Sequence, residues 1–139
     1  MKFITVNLVK FAAVFAVFTI IFRFLLSTFI DAKLFIWVWV LALVYFCANF
    51  VIGWYFGKKD HEHLPLFDVG FRFHFTTYLI FNLLSEIWFL LDLQSVSESI
   101  WTVHSTAIIW GGFIIIHFII YLIYSRRSIN GLEKSEIFD

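Results

Sequence analysis

Four apolar stretches, residues 7–28, 34–56, 71–91 and 103–124, fill most of this 139-residue chain. Each approaches or exceeds the roughly 20 residues that a helix needs to cross the hydrocarbon of a bilayer. Hydrocarbon offers the backbone no hydrogen-bond partners, so segments of this kind satisfy their own N–H and C=O groups as helices. The expected fold is therefore all-α: an integral membrane antiparallel four-helix bundle with short loops and both termini on the same side. The whole of 1–139 reads as one transmembrane domain, with 125–139 as a polar cytoplasmic tail.

Composition agrees with that class. Hydrophobic residues make up 62% of the chain, charged residues 14%, and mean hydropathy is +0.92, a balance that a soluble domain of this size does not need. The formal net charge is zero, and Lys and Arg occur singly or in pairs, so nothing points to nucleic acid. The one cysteine, Cys47, lies inside the second stretch and reads as a small hydrophobe. Lys2 and Lys10 ahead of an apolar run imitate a signal peptide. The run continues through Arg23, Phe24, Leu25 and Leu26 with no small-x-small cleavage site, so it reads as a retained first span.

Charge placement sets the orientation. Lys2, Lys10, Lys58, Lys59, Arg72, Arg126, Arg127 and Lys134 fall on one side of a four-span chain, and Lys33 with Asp31, Asp92 and Glu98 on the other. The positive-inside rule makes the first side cytoplasmic, N-in and C-in, and the plasma (inner) membrane is the expected location. Pro65, the sole proline, sits in the middle loop where it limits helix formation without breaking a span.

Polar residues inside the spans recur at steps of three or four and so share a helical face. The first stripe is Ala12, Ala16, Thr19, Arg23 and Ser27; the second is Ala42, Tyr45, Asn49, Gly53 and Gly57. His74, Tyr78, Asn82 and Glu86 make the third, and Thr106, Trp110, Phe113, His117 and Tyr121 the fourth. Small residues there let backbones approach, and polar ones bond across interfaces.

An unpaired charge in hydrocarbon is costly. Arg23 and Glu86 fall at matching depth at about 1.5 Å per residue, so the economical expectation is an interior Arg23–Glu86 ion pair; snorkelling of Arg23 to the headgroups and a separate functional partner for Glu86 are the alternatives. Asn49, His74, His117 and Tyr121 form a second polar layer. His74 and His117 are candidates for hydrogen-bonded interior histidines, a proton relay with Tyr78, Asn82 and Glu86, or ligands of one haem b. His104 is rotated roughly 220° from His117 on the same helix, which argues against stacked haems.

In the loop 57–70, His61, His63 and Asp68 are weak metal candidates, with no HExxH or paired-cysteine motif beside them. The alternative is a solvated loop whose Lys58 and Lys59 meet anionic headgroups, with Arg72 reaching phosphates. No nucleophile elbow, phosphate-binding glycine loop or supported Cys/His arrangement is present, so no enzyme activity is favoured and no cofactor is implied beyond the haem alternative. The expected partners are the lipid bilayer and other membrane proteins or a second copy. The expected role is an accessory, assembly or structural subunit acting through helix–helix contacts. Proton or small-ion transport, and a haem redox subunit, are the alternatives.

Overall fold

The computed structural model describes residues 4–135, with side chains as far as residue 126. The described residues form four helices, α1 Val6–Asp31, α2 Phe35–His61, α3 Leu66–Leu90 and α4 Ile100–Ser135, and no strand. Three segments, α1, α2 and Ile100–Arg126 of α4, are long and apolar enough to cross a membrane. The third helix is not among them. Asp68, Arg72, His74, Asn82 and Glu86 interrupt its apolar run, so hydropathy alone does not carry the expectation of a fourth span.

The helices also overrun the expected stretches. α1 begins at a Thr5 cap whose side chain accepts from the Leu8 amide at 3.0 Å, satisfying one of the free donors of the first turn. The polar loop 57–70 is mostly helix: α2 runs on through Lys58 and Lys59 to His61, and α3 starts straight after Pro65. Pro65, at φ −59°, suits a helix start, and its carbonyl accepts from the Asp68 and Val69 amides. The expected polar tail continues α4 as far as Ser135. α1 and α3 end in the same way. Lys33 (φ 57°) and Asp92 (φ 53°) take left-handed conformations, and the following amides, of Leu34 and Leu93, reach back to Phe29 and Trp88.

Packing gives α1 and α3 the central places. α1 lies against α2 and α3, α2 also touches α3, and among the described residues α4 touches α3 alone. Thr5 meets Asp60, Phe11 meets Phe56 and Thr19 meets Tyr45, so α2 runs back along α1. Phe11 meets Phe73 and Ser27 meets Trp88, so α3 runs with α1. Phe71 meets Tyr121 and Tyr78 meets Trp110, which returns α4 along α3.

Leu8, Phe11, Phe15, Val69 and Phe73 are the buried apolar centre. Between helices in lipid the gain comes from close packing rather than escape from water, and aromatic pairs add about 0.5–1.5 kcal/mol each. Gly53 and Gly57 face this centre: a Cβ there would stand 3.8 Å from Phe11 and 3.6 Å from Val69, ordinary contact distances at which alanine would also fit. The outer faces are apolar. α2 fully buries a single residue, Asp60, while Ile36, Trp39, Leu43, Phe46, Phe50 and Trp54 are exposed. Such a surface would aggregate in water and suits hydrocarbon.

Candidate functional site

Polar side chains gather in four places, each set by a helix register. At the end of α1 that carries Asp31, Arg23 is buried at 4% exposure and its Nη2 donates to Glu98 Oε2 at 2.9 Å. Ser27, one turn on, donates to Glu98 Oε1 at 2.6 Å and accepts from Trp88 Nε1 at 3.2 Å. The Ser95 amide donates to Glu98 Oε1 at 3.1 Å, and Ser95 Oγ donates to Asp31. The loop 91–99 is thereby folded down onto α1. Arg23 also lies over the Phe89 ring, its guanidinium carbon 5.6 Å from the centroid.

This corrects the expected Arg23–Glu86 pair. Glu86 Oε1 instead meets His104 Nε2 at 3.0 Å, with both side chains nearly half exposed, 47% and 44%. α3 turns Glu86 toward α4, and the loop brings a nearer carboxylate to Arg23. The Arg23 pair is desolvated, where truncating one partner costs far more than at an exposed pair.

At the opposite end Asp60, 5% exposed, accepts from Thr5 Oγ1 and, at 2.8 Å, from Asn7 Nδ2. Its carboxylate therefore sits beside the positive end of α1. Asp68 and Arg72 form a buried two-pronged pair on α3, Nε to Oδ1 at 2.8 Å and Nη2 to Oδ2 at 2.6 Å. Arg72 is 3% exposed, so it does not extend toward headgroups as expected. The metal reading of His61, His63 and Asp68 loses its third donor to Arg72, and His61 Nδ1 lies 3.1 Å from the Leu64 carbonyl. Among the described residues no three His, Cys, Asp or Glu side chains are grouped to hold an ion.

Midway along α1, buried Thr19 shares a 2.8 Å hydrogen bond with the Tyr45 hydroxyl. Asn49 stands one turn along α2 with its Oδ1 buried and unpartnered among the described residues.

The fourth place is the α3–α4 seam. His74 and His117 bring their Nδ1 atoms to 3.0 Å, with the rings edge to face. One imidazole donates and the other accepts. Tyr78 donates to the Ala107 carbonyl at 3.3 Å and packs on Trp110. Asn82 donates to the Tyr78 carbonyl at 2.7 Å, its Oδ1 buried without a partner among the described residues. Gly111 makes room for the phenol: a Cβ there would lie 3.2 Å from the Tyr78 hydroxyl.

A haem iron between two axial imidazoles, at about 2 Å from each nitrogen, would hold those nitrogens about 4 Å apart with a porphyrin plane between them. At 3.0 Å the two rings touch directly, so this pair does not fit a haem.

The chain matches no family model, no curated protein and no solved structure. Function therefore rests on the residues alone. The residues that spacing missed are Glu98, Ser95 and Asp60, because each sits in or beside a turn, where periodicity carries no signal. The Asp68–Arg72 pair was visible as an i,i+4 acid–base spacing.

Proposed function

We propose that this chain is a multi-pass plasma-membrane protein, an antiparallel four-helix bundle with both termini cytoplasmic, serving as an accessory or structural subunit through its helix faces. The observation that carries this reading is the unequal exposure of its polar groups. Arg23, Glu98, Asp60 and Thr19 are engaged in holding α1 to α2 and to the loop 91–99, and Asp68 and Arg72 are buried as a pair on α3. His74 and Glu86, on the seam with α4, stay exposed. Polar groups facing hydrocarbon are expensive, and a neighbouring protein helix with its own polar groups relieves that cost. Lys10, Lys58, Lys59 and Arg126 lie together at the end where α1 starts, which supports placing that end inside.

The reading is tested with a photoreactive residue placed at Ile108, beside the seam on α4, or at Trp39 on α2, in native membranes. Adducts to protein are expected from position 108 and not from 39. Equal adducts from both, or none from 108, would overturn it.

Proton conduction is the second reading, favoured by the His74–His117 contact, where a proton can pass between two ring nitrogens. It requires proton flux into proteoliposomes that falls in both His74→Ala and Glu86→Gln. Flux indifferent to both removes it.

A further inference from the structure

One side of the α1–α2 pair carries a feature that neither reading uses. Lys59 Nζ donates to the Tyr55 hydroxyl at 2.8 Å and stands 4.2 Å from that ring's centroid. The phenol therefore keeps its own O–H to give. Lys10 stands at the same level on α1, next to Phe11, whose ring meets that of Phe56 beside Tyr55. All three side chains are exposed. The neighbouring carboxylate, Asp60, is buried and held by Thr5 and Asn7, and among the described residues neither lysine forms an ion pair with it or with the exposed Glu62.

Directly along the helices from this cluster runs an apolar groove of about 550 Å³ lined by Phe18 of α1 and by Leu43, Val44, Cys47, Ala48, Val51 and Ile52 of α2. Its α2 wall starts one turn from Tyr55 and continues for nine residue steps, roughly 14 Å at the helical rise. A smaller hollow at Ala13, Val14 and Val17 shares Phe18 with it and leads back toward Lys10. Trp54, exposed beside Tyr55, is an interfacial side chain by type. Two cations and a phenolic donor at the end of an open apolar groove match a molecule with an anionic head and a hydrocarbon tail. Basic pockets between helices at the cytoplasmic surface take anionic headgroups for this reason, and long lysine stems extend their charge to that level.

We propose that this face binds one anionic phospholipid, its phosphate held by Lys10, Lys59 and the Tyr55 hydroxyl and an acyl chain laid in the groove between Phe18 and Ala48. The site needs only that the chain resides in a bilayer, and stands whatever covers the α3–α4 seam.

Native mass spectrometry of the full-length protein in mild detergent tests it, titrating phosphatidylglycerol against phosphatidylcholine of identical acyl chains, with glycerol phosphate as a tailless competitor. Phosphatidylglycerol is expected to bind about thirtyfold more tightly, two lysines at a membrane surface supplying that much, and high salt narrows the gap. Lys10→Gln with Lys59→Gln should reduce the preference to the phosphatidylcholine level, whereas Lys58→Gln leaves it intact. Ala48→Leu, which fills the groove, should weaken both lipids. Equal binding of the two lipids by the unaltered protein overturns the proposal without any variant. So does a loss in Lys58→Gln as large as in the double change, which would mean a diffuse basic rim. Displacement by glycerol phosphate would identify a free-phosphate site instead and equally overturn it.

Discussion

α1 and α4 have the same hydropathy in their most apolar windows, 2.2 in each, yet 22% of that window is buried in α1 and 6% in α4. α1 is wedged between α2 and α3, and its polar residues Thr19, Arg23 and Ser27 are all buried. Among the described residues α4 leans on one neighbour, and Thr102, Ser105 and Thr106 remain exposed. Hydropathy reports how a helix would partition; it says nothing about how many helices surround it. What separates the two is where the polar residues find partners. In α1 they reach a loop and two other helices; in α4 they reach α3 or their own backbone, as Thr106 does with the Thr102 carbonyl at 2.8 Å.

The sharpest way to break this contrast is to remove Glu98. Glu98→Ala leaves Arg23 buried and unpaired, with an expected loss of about 3–5 kcal/mol, read from unfolding in mixed micelles. A double-mutant cycle of Arg23→Ala with Glu98→Ala should show strong coupling, and the same cycle with Glu86→Ala none. Coupling of Arg23 to Glu86 instead would mean that α1 owes its burial to α3 and not to the loop.

Asp60→Ala should come next. It strands the Asn7 amide and the Thr5 hydroxyl, at a cost of about 1–3 kcal/mol, in the same assay. On the α4 side the effects shrink. Glu86→Ala breaks an exposed pair and should cost less than about 1 kcal/mol. A larger loss would show that the seam is as well sealed as the α1 interface.

Adjacent glycines refine the comparison further. Gly111→Ala pushes a methyl against Tyr78 and should weaken the seam. Gly112 has nothing within 4 Å of an added Cβ, so Gly112→Ala should be neutral or gain up to about 1 kcal/mol of helix propensity. Matching thermal shifts for the two would deny that Tyr78 seats there. A change of similar size is expected at Lys33, whose left-handed backbone favours glycine. Lys33→Gly should stabilise by about 0.5–1 kcal/mol after the added chain entropy is subtracted, and a loss would contradict the turn geometry.

The helical character of the chain and its apolar exterior were legible in the sequence, because both follow from long apolar runs. The inward face of α1 was legible as well: Thr19, Arg23 and Ser27 recur at steps of four, and all three are buried. The partners were not. Spacing fixes which residues share a face but not which face of the next helix meets it, so Arg23 was matched by depth to Glu86 when Glu98 was to be its partner. Helix ends misled for a related reason. Lys58, Lys59 and Asp60 look like loop by polarity, but a helix that leaves hydrocarbon has no cause to stop there, and it runs on until Pro65 starts another. The His74–His117 contact lay between these cases: the two residues could be placed at one level, but whether they touched or straddled a ligand depended on the closeness of α3 and α4, which Gly111 and Tyr78 set.

The Arg23–Glu98 contact spans 75 positions of sequence, and this has a consequence for assembly in time. At about 5–20 residues per second, a ribosome needs roughly 4–15 s after making Arg23 to produce the acid that neutralises it. Through that interval the first hairpin carries a lone guanidinium, which an insertion machine can shelter or a headgroup can occupy. Glu98 precedes α4 in the chain, and among the described residues the contacts that join α1, α2 and α3 use no residue of α4. The first three helices can therefore lock before α4 docks on α3.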